Sequence, residues 1–311
     1  MSEGIHPTYR ERYGDREPKH TKSEPNFLSP LICIRRGPGE SRNTSKSYRL
    51  PDRKMAFSKN YFGYTAHWHE DSRLLCSLLH ILAHSQLFQH FSYMRSAQMG
   101  ARKRILDKLD IDSFPFPDPD KLTKKQRTEA LRLADMLDAP TGARDWTTLD
   151  EFVGSLFGLT KAEQQVVADT VNFNGPYAVV REQAMRSVPQ DEASAFVRTL
   201  ERAIQPFFKA VGQKVKASLI PRLEGDWRQP WAFVTLLPDG DTWEPSGTLI
   251  ASLIAEASAS AATRLVMPLP EGGVVVGLLN KRRFWTRSRA RLCALHIAEK
   301  HLGSFPTPES E

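Results

Sequence analysis

From Glu70 onward the apolar residues fall at helical spacing. Leu74, Leu75, Leu78, Leu79, Leu82, Phe88, Phe91 and Met94 recur every three to four positions, which predicts an amphipathic helix, or a helix pair broken near Ser85, over 71–95. The same period returns over 121–138 (Leu122, Ala130, Leu133, Leu137) and stops at Pro140 and Gly142. Between the two, Phe114-Pro115-Phe116-Pro117-Asp118-Pro119 must run extended, because three prolines cannot sit inside a helix. Leu149–Phe157 and Lys161–Val171 read as short helices around Gly158-Leu159-Thr160, with Thr160 and Glu163 spaced as a capping box. A longer helix is predicted over 190–218, with Pro206 as a kink.

Short apolar runs rich in β-formers predict strands at Phe27–Ile34, stopped by Arg35-Arg36-Gly37-Pro38-Gly39, and at Met55–Phe57. Three more are expected at Trp231–Leu237, Arg264–Leu269 and Gly273–Leu279, with helices over Leu249–Ala262 and Thr286–Leu302. The class is therefore α+β: mainly helical, with a small N-terminal strand region and a C-terminal α/β subdomain. The expected division is a disordered tail over 1–26, a mostly helical domain over 27–220, an α+β domain over 221–303 and a tail over 304–311.

Composition narrows the class of protein. With 40% hydrophobic and 25% charged residues among 311, the chain is globular in character and long enough for two domains. Cys33, Cys76 and Cys293 lie far apart with no CxxC pair, which suits free thiols in a reducing compartment. No run of about 18 apolar residues offers a membrane span, and the polar N-terminus has no apolar signal core. The expected location is cytoplasmic.

Charge is uneven. Residues 1–60 hold 13 Lys and Arg against 7 Asp and Glu, and residues 281–300 hold 7 against 1, whereas the middle is slightly acidic. Two basic ends suit a polyanion-facing surface if they meet in space. The densest run is Lys281-Arg282-Arg283-Phe284-Trp285-Thr286-Arg287-Ser288-Arg289-Ala290-Arg291. Its guanidinium groups and hydroxyls suit phosphate and guanine edges, and Thr286 is a plausible N-cap. The competing view makes Phe284 and Trp285 core anchors and the arginines a solvated face.

Other constellations carry less. Asn172-Phe173-Asn174-Gly175-Pro176-Tyr177 approaches the loop with which adenine-N6 methyltransferases hold a flipped base. Gly175 replaces its first proline, and no strand with a Gly-rich turn precedes it, so a helix-terminating turn is expected. His67, His69, His80 and His84 could in principle supply zinc nitrogens, but no zincin glutamate or cysteine pair accompanies them, so hydrogen-bonded core or surface histidines are expected. Nothing marks Cys76 as activated beside His80 or His84. Gly37-Pro38-Gly39 is turn chemistry.

The order of segments resembles the C-terminal target-recognition region of large adenine-N6 DNA methyltransferases of restriction-modification systems. A strand ending in basic-Gly-Pro (Pro30 to Pro38) precedes a Phe-containing strand and an aromatic-Gly turn (Ala56 to Tyr64). Leu82-Ala83-His84-Ser85-Gln86-Leu87-Phe88, Phe114-Pro115-Phe116-Pro117 and Phe157-Gly158-Leu159-Thr160-Lys161-Ala162-Glu163 follow in the family's order. Phe284-Trp285-Thr286-Arg287-Ser288-Arg289-Ala290-Arg291 is similar to the family's closing helix. The similarity spans about 27–302, with His84 where the family has asparagine and with the catalytic half absent.

The resemblance implies a double-stranded DNA-binding component without catalytic activity or cofactor of its own. S-adenosylmethionine would enter only through a separately encoded methyltransferase, or the partner would be a nuclease. The expected DNA contacts are Arg35, Arg36, Arg42, Lys46, Arg49, Lys54, Lys281, Arg282, Arg283, Arg287 and Arg289, and charge reversal at Arg282 and Arg283 is expected to weaken binding. The alternatives are a protein-interaction module, marked by an apolar patch on the 71–95 helix face, a truncated remnant of a defence methyltransferase and, more remotely, a zinc hydrolase.

Overall fold

A computed structural model describes residues 28–37, 39, 41–52, 57, 59–96, 98–99, 105–139, 144–210, 212–220, 230–241, 243, 247–259 and 263–305. The expected 1–26 tail, Met55 and Ala56 of an expected strand, and Lys54 lie outside them. The chain is α+β, with helices outweighing two antiparallel sheets. It divides into two units: the described residues up to Val171 with Gly175–Tyr177, and Asn172–Asn174 with those from Ala178 onward.

In the N-terminal unit three strands, β1 (Leu31–Arg35), β2 (Ser47–Leu50) and β3 (Tyr61–Thr65), form a sheet of order β2-β1-β3. Ile32 pairs with Arg49 and Ile34 with Ser47, so these four residues share the sheet's inner face. Under it pack helix α1 (Ser72–His84), helix α2 (Gln86–Arg95), a short helix α3 (Lys108–Asp112), helix α4 (Lys124–Asp138) and helix α5 (Trp146–Leu156). Ser85 breaks the 71–95 segment as expected, and its side chain caps α2 by accepting from Phe88 N at 3.1 Å. Ala130 and Ala134, both fully buried, let α4 lie close against Leu78 and Ile81 of α1. Helix α6 (Lys161–Asn174) starts at the predicted capping box, with Thr160 N donating to Glu163 and Glu163 N to Thr160 Oγ1.

The strand partners of β1 differ from expectation. Phe57 carries no strand, and the aromatic-Gly segment expected to turn is β3 itself. The reason is steric: the Phe57 ring lies over Gly63, where an added Cβ would come within 2.1 Å of Cζ. Glycine is thus needed here for the close approach of a ring across the sheet face.

In the C-terminal unit, helix α7 (Ala178–Ala184) precedes helix α8 (Gln190–Lys209) and a sheet built from β4 (Val215–Leu219), β5 (Trp231–Pro238), β6 (Arg264–Pro268) and β7 (Val274–Leu279), in the order β4-β5-β7-β6. Helix α9 (Gly247–Ala259) links β5 to β6, and β7 inserts between these two like-directed strands. Val234, Leu236, Val274 and Val276 face α8 and helix α10 (Arg287–Lys300), whereas Phe233, Leu237 and Val275 face α9. Burial on both faces explains why β5 and β7 are near-continuous apolar runs, with buried Thr235 the one polar side chain of β5.

The helix expected over 190–218 ends at Lys209, and 215–219 is β4. Gly212, at φ +75°, turns the chain, and Val215 and Ala217 then alternate with exposed Lys216 in strand period. Because α8 buries Phe196, Leu200, Ile204 and Phe208 on this sheet, the C-terminal unit starts well before the expected boundary at 221.

Candidate nucleic-acid interface

The expected contact residues fall in both units. Those from Arg35 to Arg49 belong to the N-terminal unit, and there the basic segment is strapped onto the helices. Arg36 pairs with Asp107 at 3.2 Å and lies 6.0 Å from the Phe62 ring centre. Arg42 pairs with Asp150 and sits 4.7 Å over the Trp146 ring. Trp146 Nε1 donates to Asn43 Oδ1 at 3.2 Å, and Arg144 donates to the Asn43 carbonyl at 3.0 Å. Arg49 reaches Asp135 at 2.7 Å, Asp138 at 2.9 Å and the buried hydroxyl of Ser77 at 2.8 Å. Lys46 is 4% exposed, and its ammonium donates to the carbonyls of Gly39 and Ser41. Burial, with Arg35 and Arg42 nearby, pushes its pKa down to about 8. Arg35 has no carboxylate partner among the described residues.

His80 and His84 lie beneath β2 as hydrogen-bonded core histidines, one of the two placements expected, whereas their partners Ser47 and Asp138 were not singled out from sequence. Ser47 Oγ lies 2.9 Å from His80 Nδ1, and His80 Nε2 lies 3.3 Å from Asp138 Oδ1, poorly aligned for a hydrogen bond. The order Ser, His, Asp resembles a nucleophile with its base. Ser47 is 1% exposed, however, so no acyl substrate reaches its hydroxyl. His84 accepts from Lys46 N at 3.0 Å through Nε2. Burial pushes His80's pKa down, against Asp138's pull, and that of His84 to about 3, so both rings stay neutral. Cys76 is likewise buried, its pKa pushed up to about 11, and is no nucleophile at neutral pH.

His67 and His69 bracket an exposed Trp68 in the turn after β3, where His69 Nδ1 accepts from Asp71 N at 3.0 Å. Among the described residues no group of three or more His, Cys, Asp or Glu side chains is placed to hold a metal ion. Nor is any described helix long and apolar enough to cross a membrane. Asn174 ends α6, and Tyr177 is 5% exposed, 6.4 Å from the Tyr93 ring. That tyrosine is packed away and cannot stack on a flipped base. The apolar face of 71–95 is in the core, with Met94 exposed at its end.

In the C-terminal unit the basic run splits by role. Trp285 is 2% exposed, donates to the Leu279 carbonyl at 3.0 Å and packs 5.1 Å from Phe196, so it pins the turn after β7. Arg282 forks onto Glu192, with its guanidinium over Phe173. Arg283 donates to Asn174 Oδ1 at 3.1 Å, a neutral partner. Thr286 caps α10 by accepting from Arg289 N at 3.3 Å. Arg287 and Arg289 then stand exposed in the first turn, which carries no acidic residue, and Lys281 is half-buried just before the turn. The run is therefore part anchor, part clamp and part open cation.

No family model, curated protein or solved structure matches the chain.

Proposed function

We propose that this chain is a DNA-binding target-recognition component of a restriction-modification or related antiphage methyltransferase system. It positions duplex DNA for a separately encoded methyltransferase or nuclease and performs no catalysis itself. One observation carries the reading: the first turn of α10, with Arg287 and Arg289 exposed and no carboxylate there. A helix N-terminus is the positive end of the macrodipole, so arginines there are unfavourable by roughly 0.3–1 kcal/mol each without an anion. A phosphate placed against that turn would meet backbone N–H groups and both guanidinium groups together. Lys281 and Arg283 precede that turn in sequence, with no carboxylate partner among the described residues. The weaker support is the ordered set of motifs resembling a target-recognition region.

The test is binding of the purified chain to mixed-sequence duplex, followed by anisotropy, for wild type and the double variant Arg287→Glu/Arg289→Glu. We expect the variant to lose at least about tenfold in affinity at low salt, because two phosphate contacts become repulsive. Undiminished binding in the variant, or no binding by wild type at low salt, removes the reading.

A further inference from the structure

Helices α2, α5 and α6 of the N-terminal unit leave a cavity of about 330 Å³ between them. That lies within the range of roughly 300–1,000 Å³ usual for small-ligand pockets. Leu87, Leu159, Val167 and Ala168 give it apolar walls. Its charged side chains form two ion pairs: Arg42 with Asp150, both mostly buried, and Lys161 with Glu151, both exposed and 2.7 Å apart. The lining is therefore neutral in sum, which fits an uncharged ligand.

Three polar side chains in that lining keep hydrogen-bonding capacity in hand. Asp150 Oδ1 accepts from Gln86 N at 2.9 Å, and Oδ2 accepts from Arg42. A carboxylate offers about four acceptor sites, so about two remain. Burial pushes the Asp150 pKa up even though Arg42 and the Gln86 amide pull it down, so two donors do not repay its desolvation. The Gln86 side chain has no hydrogen-bond partner among the described residues. Gln164 is held in place: its Nε2 donates to the Leu159 carbonyl at 2.9 Å, and its amide lies over Gly154, where an added Cβ would come within 2.8 Å. Its Oε1 has no donor among the described residues.

We propose that this cavity binds a guanine base. Among the common nucleobases only guanine carries two adjacent donors on one edge, N1–H and the 2-amino group, beside the acceptor O6. The donor pair matches the remaining lone pairs of Asp150, and O6 suits the Gln86 amide. The apolar walls cover the faces of the ring. A cationic donor pair, such as free arginine, would meet Arg42 and Lys161 and is disfavoured. In a duplex this edge of guanine is already paired with cytosine, so the base comes from a free nucleoside or a single strand. The site therefore works apart from duplex binding at α10 in the other unit.

Calorimetric titration of the whole chain with guanosine, inosine and adenosine tests it. Wild type is expected to bind guanosine saturably with a Kd of about 1 mM or below. Inosine, which lacks only the 2-amino group, is expected to bind about tenfold more weakly, the loss of one hydrogen bond to a charged acceptor. Asp150→Asn turns an acceptor into a donor and is expected to weaken guanosine by about tenfold or more. Because that variant also breaks the Arg42 pair, Gln86→Ala provides the second arm. It breaks no side-chain hydrogen bond among the described residues, should unfold like wild type, and is expected to weaken guanosine about threefold. A single-stranded oligonucleotide with one unpaired guanine that competes identifies a strand as the source, and one that does not leaves the free nucleoside; either keeps the site. Absence of saturable guanosine binding at about 1 mM, equal affinity for inosine or adenosine, or unchanged affinity in Gln86→Ala or in folded Asp150→Asn overturns it.

Discussion

Arg282 and Arg287 stand in one basic run, yet their surroundings give them different work. Arg282 is bound through two nitrogens to Glu192, each side chain about a quarter exposed, and it bridges the turn after β7 to α8. Arg287 faces solvent at the start of α10. Replacing Arg282 by alanine should therefore cost about 1 kcal/mol, the upper range for a partly solvated ion pair. Replacing Arg287 by alanine should change stability by less than about 0.5 kcal/mol. Urea unfolding of the two variants reads this directly, and an equal loss at both positions would mean that Arg287 is not the open cation described. The difference was invisible in sequence because the partners are remote. Glu192 lies 90 positions from Arg282, Asp150 108 from Arg42 and Asp107 71 from Arg36. A count of charges along a chain finds the cations but not the carboxylates that folding brings to them.

Elements were legible where period and punctuation agreed. The break at Ser85, the capping box at Thr160 and the strands of 231–238 and 274–279 follow from local pattern alone. Three strands were lost for physical reasons: Ser47-Tyr48-Arg49-Leu50 is half polar because its inner face serves α1 and α4 with hydrogen bonds, Tyr61–Thr65 carries the aromatic-Gly pattern of a turn, and Val215–Leu219 adjoins a long helical pattern. That polar inner face makes the packing of β2 on α1 sensitive to acid. His84 is stacked near Trp146 and faces His80, Lys46 and Arg144, while Asp138 and Arg49 lie around His80. An unfolded histidine takes up a proton near pH 6.5, whereas folded His84 resists down to about 3. The unfolded state thus binds more protons below pH 6.5. Stability is full above that pH and falls as pH drops, by up to about 1.4 kcal/mol per pH unit from His84. His80 shifts in the same direction and adds to the slope. Asp138 is different: burial opposes it, but His80 and Arg49 hold its pKa below the ordinary value, so its own loss comes only at lower pH. Denaturation midpoints between pH 7 and 5 should fall in wild type and fall less steeply in His84→Gln, where only the His80 share remains. A flat wild-type profile would show that the buried rings are already reached by protons.

For the molecule as a whole, the count of cations in the two basic runs overstates how many a polyanion would meet unpaired. Among the described cations of the N-terminal unit, Arg36, Arg42 and Arg49 are paired with Asp107, Asp150, Asp135 and Asp138, and Lys46 is buried. In the C-terminal unit Lys281, Arg283, Arg287 and Arg289 have no carboxylate partner among the described residues. The salt dependence of DNA binding separates these two pictures, because each neutralised phosphate contributes about −0.9 to the slope of log K against log salt. Contacts by all eleven residues expected from sequence would give a slope of about −10, whereas these four C-terminal cations give about −3 to −4. We expect the shallower value for wild type, falling by about 2 in magnitude when Arg287 and Arg289 are both replaced by glutamine. A slope near −10 would require the N-terminal ion pairs to open on binding. In that case Asp150→Asn, which frees Arg42, would raise affinity for duplex, and under the shallower slope it would leave that affinity unchanged.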